Sequence, residues 1–250
     1  MYLSRLILNP SSRQVRSELA QPYEMHRTLM RAFPEASPDG KSKARDKFGM
    51  LFRADVDDRR HRVIVYVQSA VKPDWSYLDS TSDYLLEDPS NPACKEVTNS
   101  YRELQDGQIL AFRLRANPTK RIAKVTKGGP ELKGKRVGLL REEEQIDWLI
   151  RKGLERTQDT PGGFEILMNE IEDDKGETRS VPRVSVRLEG KQRSHKRENG
   201  HSHCTTHLAV CFDGLLRITD ADAFRETLAQ GIGPAKAYGF GLMSIAPVRR

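Results

Sequence analysis

A tyrosine, a histidine and two arginines lie close together in residues 22–33, PYEMHRTLMRAF. The apolar residues of this segment recur at helical spacing, which predicts an amphipathic helix with Tyr23, His26 and Arg27 on one face. Near a helix N-terminus the positive end of the dipole favours a neutral imidazole, which can accept a proton. The phenol can donate a proton, and Arg27 or Arg31 can bind a phosphate. The set predicts acid–base chemistry at a phosphate group; the alternative is an exposed histidine on an ordinary amphipathic helix.

A second candidate site is the glycine-rich segment at 231–242, GIGPAKAYGFGL. The segment lacks the third glycine of a dinucleotide fingerprint and the Gly-Lys-Ser/Thr of a P-loop. Its glycines allow the backbone to approach a ligand closely, and Lys236 supplies a positive charge. We interpret it as an anion-binding loop, with a helix cap and a bulge as the alternative. Its glycines are Gly231, Gly233, Gly239 and Gly241.

Basic residues are in excess and are clustered. The chain has 42 Lys and Arg against 35 Asp and Glu, a net charge of +7. One cluster includes Arg113, Arg115, Lys120 and Arg136, and the other consists of Arg183, Arg187, Lys191, Arg193, Lys196 and Arg197. Clustered cations favour a nucleic-acid groove, and a solvated basic surface is the alternative.

Other classes of function find little support in the sequence. The histidine-rich segment at 201–207, HSHCTTH, has no CxxC beside it and matches no standard zinc arrangement, so we expect neither a metal site nor a cofactor. The three cysteines do not form a disulfide framework. No signal peptide and no run of about 18 apolar residues is present. These features predict a cytoplasmic protein without a membrane segment.

The elements that would position these residues predict an α+β fold. The pattern favours two tandem ferredoxin-like (RRM-like) domains, divided as 1–118 and 119–250. In the first domain we expect helices before residue 34 and strands at 2–8, 48–56, 61–69 and 108–118. In the second we expect helices at 142–156 and 220–228, strands at 164–171, 182–189 and 242–248, and a hairpin at 206–219 that turns at Asp213-Gly214.

Three segments together resemble one known family. They are LNPSSRQVRSELAQPYEMHRTLMRAFP, RLRANPTKR with GKRVGLL after it, and FDGLLRITDADAF with GIGPAKAYGFGLMSIAP. The sequence resembles the CasE family, the CRISPR-associated repeat-processing endoribonucleases of Cascade type (type I-E). The resemblance implies tandem ferredoxin-like domains, with the catalytic histidine at His26 and the active-site tyrosine at Tyr23. It also implies that Lys236 and its glycines form the family's glycine-rich loop, and that a basic hairpin near 183–197 holds the RNA stem.

The implied activity is RNA processing. The family binds the stem-loop of a CRISPR repeat transcript, cuts once at the base of the stem without a metal, and keeps the product within the Cascade complex. Attack by the RNA's own 2′-hydroxyl leaves a 2′,3′-cyclic phosphate and a 5′-hydroxyl. The expected partners are the repeat hairpin and other Cascade subunits, with no direct DNA contact. A non-catalytic RNA-binding subunit and a scaffold subunit are the alternatives, and the sequence leaves open whether His26 is base or acid.

Overall fold

The structure is a computed structural model of the 250-residue chain. It describes residues 1–34, 47–57, 61–81, 83–122, 134–158, 160–172, 176–198 and 201–248. Within the long strands, the side chains at 195–198 and 201–203 are outside this description. The predicted RNA contacts of Lys196 and Arg197 therefore lie outside the described residues.

The first half of the chain forms a four-stranded antiparallel sheet. Its elements are β1 (Tyr2–Leu8), α1 (Arg13–Ala20), α2 (Pro22–Met30), β2 (Leu51–Asp57), β3 (Arg62–Ser69), a 3₁₀ turn (Ser76–Leu78) and β4 (Ala93–Glu96). The strand order is β2-β3-β1-β4, which is the order of a ferredoxin-like unit. The second helix of that unit is reduced here to the 3₁₀ turn.

Short elements follow, and then the second sheet. The short elements are α3 (Thr98–Arg102), the ribbon of β6 (Thr119–Arg121) and β7 (Arg136–Gly138), and the ribbon of β9 (Met168–Glu172) and β10 (Thr178–Pro182). The second sheet and its helices are β5 (Ile109–Ala116), α4 (Glu142–Leu154), β8 (Phe164–Ile166), β11 (Val184–Glu198), β12 (His201–Ile218), α5 (Ala221–Gln230) and β13 (Met243–Pro247). The order is β11-β12-β5-β13, with β8 also paired to β12. The α+β fold with two ferredoxin-like units is therefore confirmed.

The strand expected to close the first unit opens the second one instead. Strand β5 hydrogen-bonds to β12 on one side and β13 on the other. The edge of the first sheet is taken by β4, which pairs with β1 through Arg5 and Ala93. The assignment of 108–118 to the first sheet was wrong because the alternation of apolar residues does not reveal a strand's partner. The division of the chain into independent domains at 118 stays a prediction.

The expected turn at Asp213-Gly214 is also absent, because β12 runs straight through it. Gly214 pairs with Val184 on one side and with Phe112 on the other. A Cβ at Gly214 would lie 2.5 Å from the carbonyl oxygen of Arg183. The glycine therefore serves the close approach of neighbouring backbones rather than a turn.

Two buried polar side chains join the first sheet to the second half of the chain, Arg53 at strand β13 and Gln68 at helix α5. The guanidinium of Arg53 is 3% exposed; it donates to Ser244 Oγ at 2.9 Å and pairs with Asp55 at 2.8 Å. The amide of Gln68 donates to the Leu228 carbonyl oxygen at 2.6 Å. Buried polar groups are costly unless they are hydrogen-bonded, so these bonds fix how the two sheets meet.

No described helix is long and apolar enough to cross a membrane.

Candidate active site

Helix α2 is held in one rotational setting by a buried carboxylate behind it. Glu18 of α1 is 4% exposed. It accepts hydrogen bonds from Thr28 Oγ1 and from the Tyr84 hydroxyl, each at 2.6 Å. Burial, together with the Glu18 carboxylate, raises the pKa of Tyr84, so its hydroxyl stays a neutral donor. With Thr28 held on the inner face of α2, Tyr23 and His26 lie partly buried on the opposite side, toward the second half.

Aromatic rings connect α2 to both halves of the molecule. The His26 ring stacks with Phe52 of β2 at 6.3 Å between centroids, and it lies 5.8 Å from Tyr23. The Tyr23 ring is in turn 5.7 Å from Tyr238, which belongs to the glycine-rich segment. The structure therefore brings the predicted histidine–tyrosine pair beside the glycine-rich loop, although some 200 residues separate them in the sequence.

The row of rings continues into the second sheet. Tyr238 lies 4.5 Å from the His207 ring, which is 6.0 Å from Phe240. The Asn117 amide oxygen accepts the Leu208 N–H at 3.1 Å, so its nitrogen is left to donate to His207 Nδ1 at 3.2 Å. Burial lowers the pKa of His207, which favours the neutral ring.

The glycine-rich loop fits between the two sheets because its glycines have positive φ. Gly239 has φ +78°, and a Cβ there would lie 3.1 Å from the Phe52 ring. Gly241 has φ +93°; its N–H donates to the Arg115 carbonyl oxygen at 2.8 Å, and its carbonyl oxygen accepts from Ile232 N–H at 2.9 Å. A side chain at Gly239 would press against Phe52 of β2, and one at Gly241 would press against the backbone of Ile232 within the loop itself. The loop begins after α5, whose N-cap Asp220 accepts from Ala223 N at 2.9 Å.

Most of the predicted RNA-binding cations have a partner within the protein. The paired ones are Arg27 with Glu24 (2.9 Å), Arg113 with Asp213 (2.6 Å), Arg115 with Glu189 (2.6 Å), Lys120 with Glu144 (2.7 Å) and Arg187 with Glu189 (3.1 Å). The Arg31 guanidinium lies 4.6 Å from the centre of the Tyr77 ring. By contrast, Arg183 and Arg193 are exposed and pair with no carboxylate among the described residues. Sequence clustering identified the cations but not the carboxylates that neutralise them.

Four ring residues of the site were not predicted from the sequence: Phe52, His207, Tyr238 and Phe240. Tyr238 and Phe240 belong to the glycine-rich segment, where only the glycines and Lys236 were considered. His207 belongs to HSHCTTH, which was considered from the sequence only as a possible metal site and which forms part of β12. In the described part of the chain, no group of three or more His, Cys, Asp or Glu side chains is arranged to hold a metal ion.

Comparison with known proteins places the chain in a family. A family model described as "CRISPR associated protein" matches residues 1–247. The chain is 36% identical to the CRISPR-associated endoribonuclease Cse3 of Thermus thermophilus, over 99% of this chain and 100% of that protein. It is 32% identical to the CRISPR system Cascade subunit CasE of Escherichia coli, again over 99% and 100%. A structure of the CRISPR endoribonuclease Cse3 bound to a 19-nucleotide RNA superposes with a TM-score of 0.72 at 35% identity, covering 99% of this chain and 100% of that one. The chain belongs to the CRISPR-associated protein family that contains Cse3 and CasE.

Proposed function

We propose that this protein is an endoribonuclease that binds the hairpin of a CRISPR repeat transcript and cuts it at the base of the stem without a metal ion. The observation that carries the proposal is the position of His26 and Tyr23. They lie together where the two halves meet, against the glycine-rich loop. The chain that places them there is 36% identical to an endoribonuclease over nearly its whole length.

The chemistry that these residues can support is attack by the RNA's own 2′-hydroxyl. A base removes the 2′-proton, donors stabilise the charge that develops at phosphorus, and an acid protonates the departing 5′-oxygen. His26 can take the first or the last of these roles. The Tyr23 ring, 5.8 Å from it, brings a hydroxyl donor to the same place.

The stem is held chiefly through its phosphates. Strands β11 and β12 form a long hairpin, with Arg193 on β11 and Arg183 directly before it. Both arginines are exposed and have no acidic partner among the described residues. A-form stems are recognised mainly by shape and backbone, which suits the cationic segment 183–197, because it contains no Phe, Tyr or Trp. Because one relative is a Cascade subunit, we propose that this chain joins a corresponding complex in the cytoplasm and keeps its product there.

A single deoxy substitution tests the proposal. The substrate is the repeat hairpin from the same genome, with a 2′-deoxyribose directly upstream of the cut. We expect no cleavage of this RNA, because the nucleophile is missing, and unchanged binding, because one hydroxyl is a small part of the contact. The intact RNA should be cut in EDTA to a 2′,3′-cyclic phosphate and a 5′-hydroxyl. Cleavage of the deoxy RNA would contradict the mechanism, and binding without any cleavage would indicate a non-catalytic RNA-binding subunit.

A further inference from the structure

A cleft of about 640 Å³ is lined on one side by Tyr238, and neither Tyr23 nor His26 lines it. It lies between the β6–β7 ribbon, strand β12 and the glycine-rich loop. Clefts of this size hold small organic groups. Its walls include Leu140, Pro234, Ala235, Tyr238, Arg136 and Lys191. We call it the flank cleft.

The walls of the flank cleft are largely apolar. Leu140 is 65% exposed, although a leucine is stabilised by burial. It lines the same cleft as the ring of Tyr238 and the partly buried Pro234 and Ala235. A flat apolar group would cover Leu140 and contact the opposite wall. A nucleobase has this shape, and bases bind well against aromatic and apolar surfaces.

Two cations also line the cleft and favour a ligand that carries an anionic group. Arg136 of β7 and Lys191 of β11 are exposed, and neither pairs with a carboxylate among the described residues. In this they differ from Arg115 and Arg187, which both pair with Glu189. Unpaired cations beside an apolar cleft favour a ligand that has an apolar ring and an anionic group. A nucleotide within an RNA strand has both.

The position of the cleft indicates which nucleotide it would hold. Tyr238 lines the flank cleft, and its ring also lies 5.7 Å from Tyr23. One aromatic ring therefore separates the cleft from the catalytic pair. A nucleotide bound there would be a direct neighbour of the phosphate presented to His26. At the base of a stem one of the two nucleotides that flank the cut is unpaired, so its base is free to leave the strand.

We propose that the flank cleft binds the base of one unpaired nucleotide next to the scissile phosphate, with Arg136 and Lys191 at its phosphates. This inference rests on the proposed function and adds a specificity site to it. Binding of this base would fix the register of the RNA, so that the correct phosphate reaches His26. Contacts to the phosphates of the stem position the RNA but read no base, so a base contact beside the cut would add sequence specificity.

The experiment measures affinity for three RNAs that cannot be cut, because each has a 2′-deoxyribose upstream of the cleavage site. One is the complete repeat hairpin, and the others have an abasic site directly 5′ or directly 3′ of the cut. We expect one of the two abasic RNAs to bind about tenfold more weakly than the complete RNA, the usual scale for losing one stacked base. L140A should weaken binding of the complete RNA and remove most of that difference.

A matched control is L154A, because Leu154 is an exposed leucine of similar exposure, 59%, on α4 outside the cleft. This variant should keep the full difference between the complete and abasic RNAs. R136A and K191A should weaken binding of all three RNAs. Equal binding of all three RNAs by the unaltered protein, or an abasic difference unchanged in L140A, would overturn the inference alone. Failure to bind the complete hairpin would overturn the proposed function as well.

Discussion

The two sheets have the same strand order but differ in the strands that follow their first helices. In the first sheet β2 and β3 are 7 and 8 residues long, whereas in the second β11 and β12 are 15 and 18. The first half supplies His26 and Tyr23 on a short, well-packed helix. The second supplies the glycine-rich loop and the long hairpin with its exposed arginines. One topology thus serves two tasks, because function depends on what is added to the fold.

The two halves also differ in whether their polar side chains are paired within the protein. Behind α2, the buried Glu18 has its hydrogen bonds satisfied by Thr28 and Tyr84 within the protein. On the second sheet, Arg193 and Lys191 are exposed and have no acidic partner among the described residues. Satisfied networks fix a geometry, while unpaired exposed cations are available to a polyanion. The comparison predicts that changes in the first half affect cleavage and changes in the second affect RNA binding.

The largest effect is expected in the first half. H26A should lower the single-turnover cleavage rate at least about 10²-fold, because a general acid or base typically contributes that much. Affinity for the non-cleavable hairpin should change little, and Y23F should cost less than H26A because it keeps the ring. The exposed His61 on the β2–β3 turn offers a control, and H61N should cut normally. Near-normal cleavage by H26A would show that His26 is neither the general acid nor the general base.

The glycine-rich loop, which carries Tyr238 to Tyr23 of the first half, can be strained at a single glycine. In G241A the backbone keeps a φ near +93°, and the new Cβ would lie 2.9 Å from the Ile232 carbonyl oxygen. Strain of this kind costs about 1–3 kcal/mol, and we expect a loss of stability in denaturant titrations together with slower cleavage. Gly107 is the control, since its φ is +80° but a Cβ added there would have no atom within 4 Å. G107A should lose less stability and cleave normally, and equal losses would mean that the loop contact is unimportant.

The exposed and the paired arginines of the second half should differ in their effect on the salt dependence of binding. R193A should reduce the magnitude of the slope of log K against log salt by roughly 0.7–0.9, which is the contribution of one phosphate contact. In R113A the slope should change less, because Arg113 already pairs with Asp213 at 2.6 Å. Binding titrations of the non-cleavable hairpin at several salt concentrations measure both. The same slope change in both variants would show that internal pairing does not decide which cations reach the RNA.

The smallest effect concerns pH and His207. Burial lowers the pKa of this histidine in the folded state from its ordinary 6.5. The unfolded chain then binds more protons, so the stability from the neutral ring is present above pH 6.5 and is lost as the pH falls below it. When the pH is lowered from 7.5, the midpoint temperature of thermal unfolding should decrease less for H207Q than for the unaltered protein. Identical decreases would mean that His207 does not titrate differently on folding.

Local features of the chain could be predicted from the sequence. The helix that carries Tyr23 and His26 follows from apolar spacing and from Pro22, which suits a first helical turn because it lacks an N–H. A helix was expected at 220–228, and Asp220 caps its start by accepting the Ala223 N–H. The four glycines at 231, 233, 239 and 241 were expected to let the backbone approach a ligand closely, and the structure shows that all four have positive φ. These properties depend on residues a few positions apart, so the sequence contains them directly.

Only the tertiary structure decided which distant residues meet. Strand β5 alternates apolar and basic residues as expected, but hydrogen bonds to β12 and β13 assign it to the second sheet. Arg115 is paired by Glu189, 74 positions away, so its charge is not the free cation that its sequence cluster indicated. Tyr238 contacts Tyr23 across the two halves, and His207 joins the site through its contact with Tyr238. Such contacts depend on how the sheets pack, and neither periodicity nor composition records that packing.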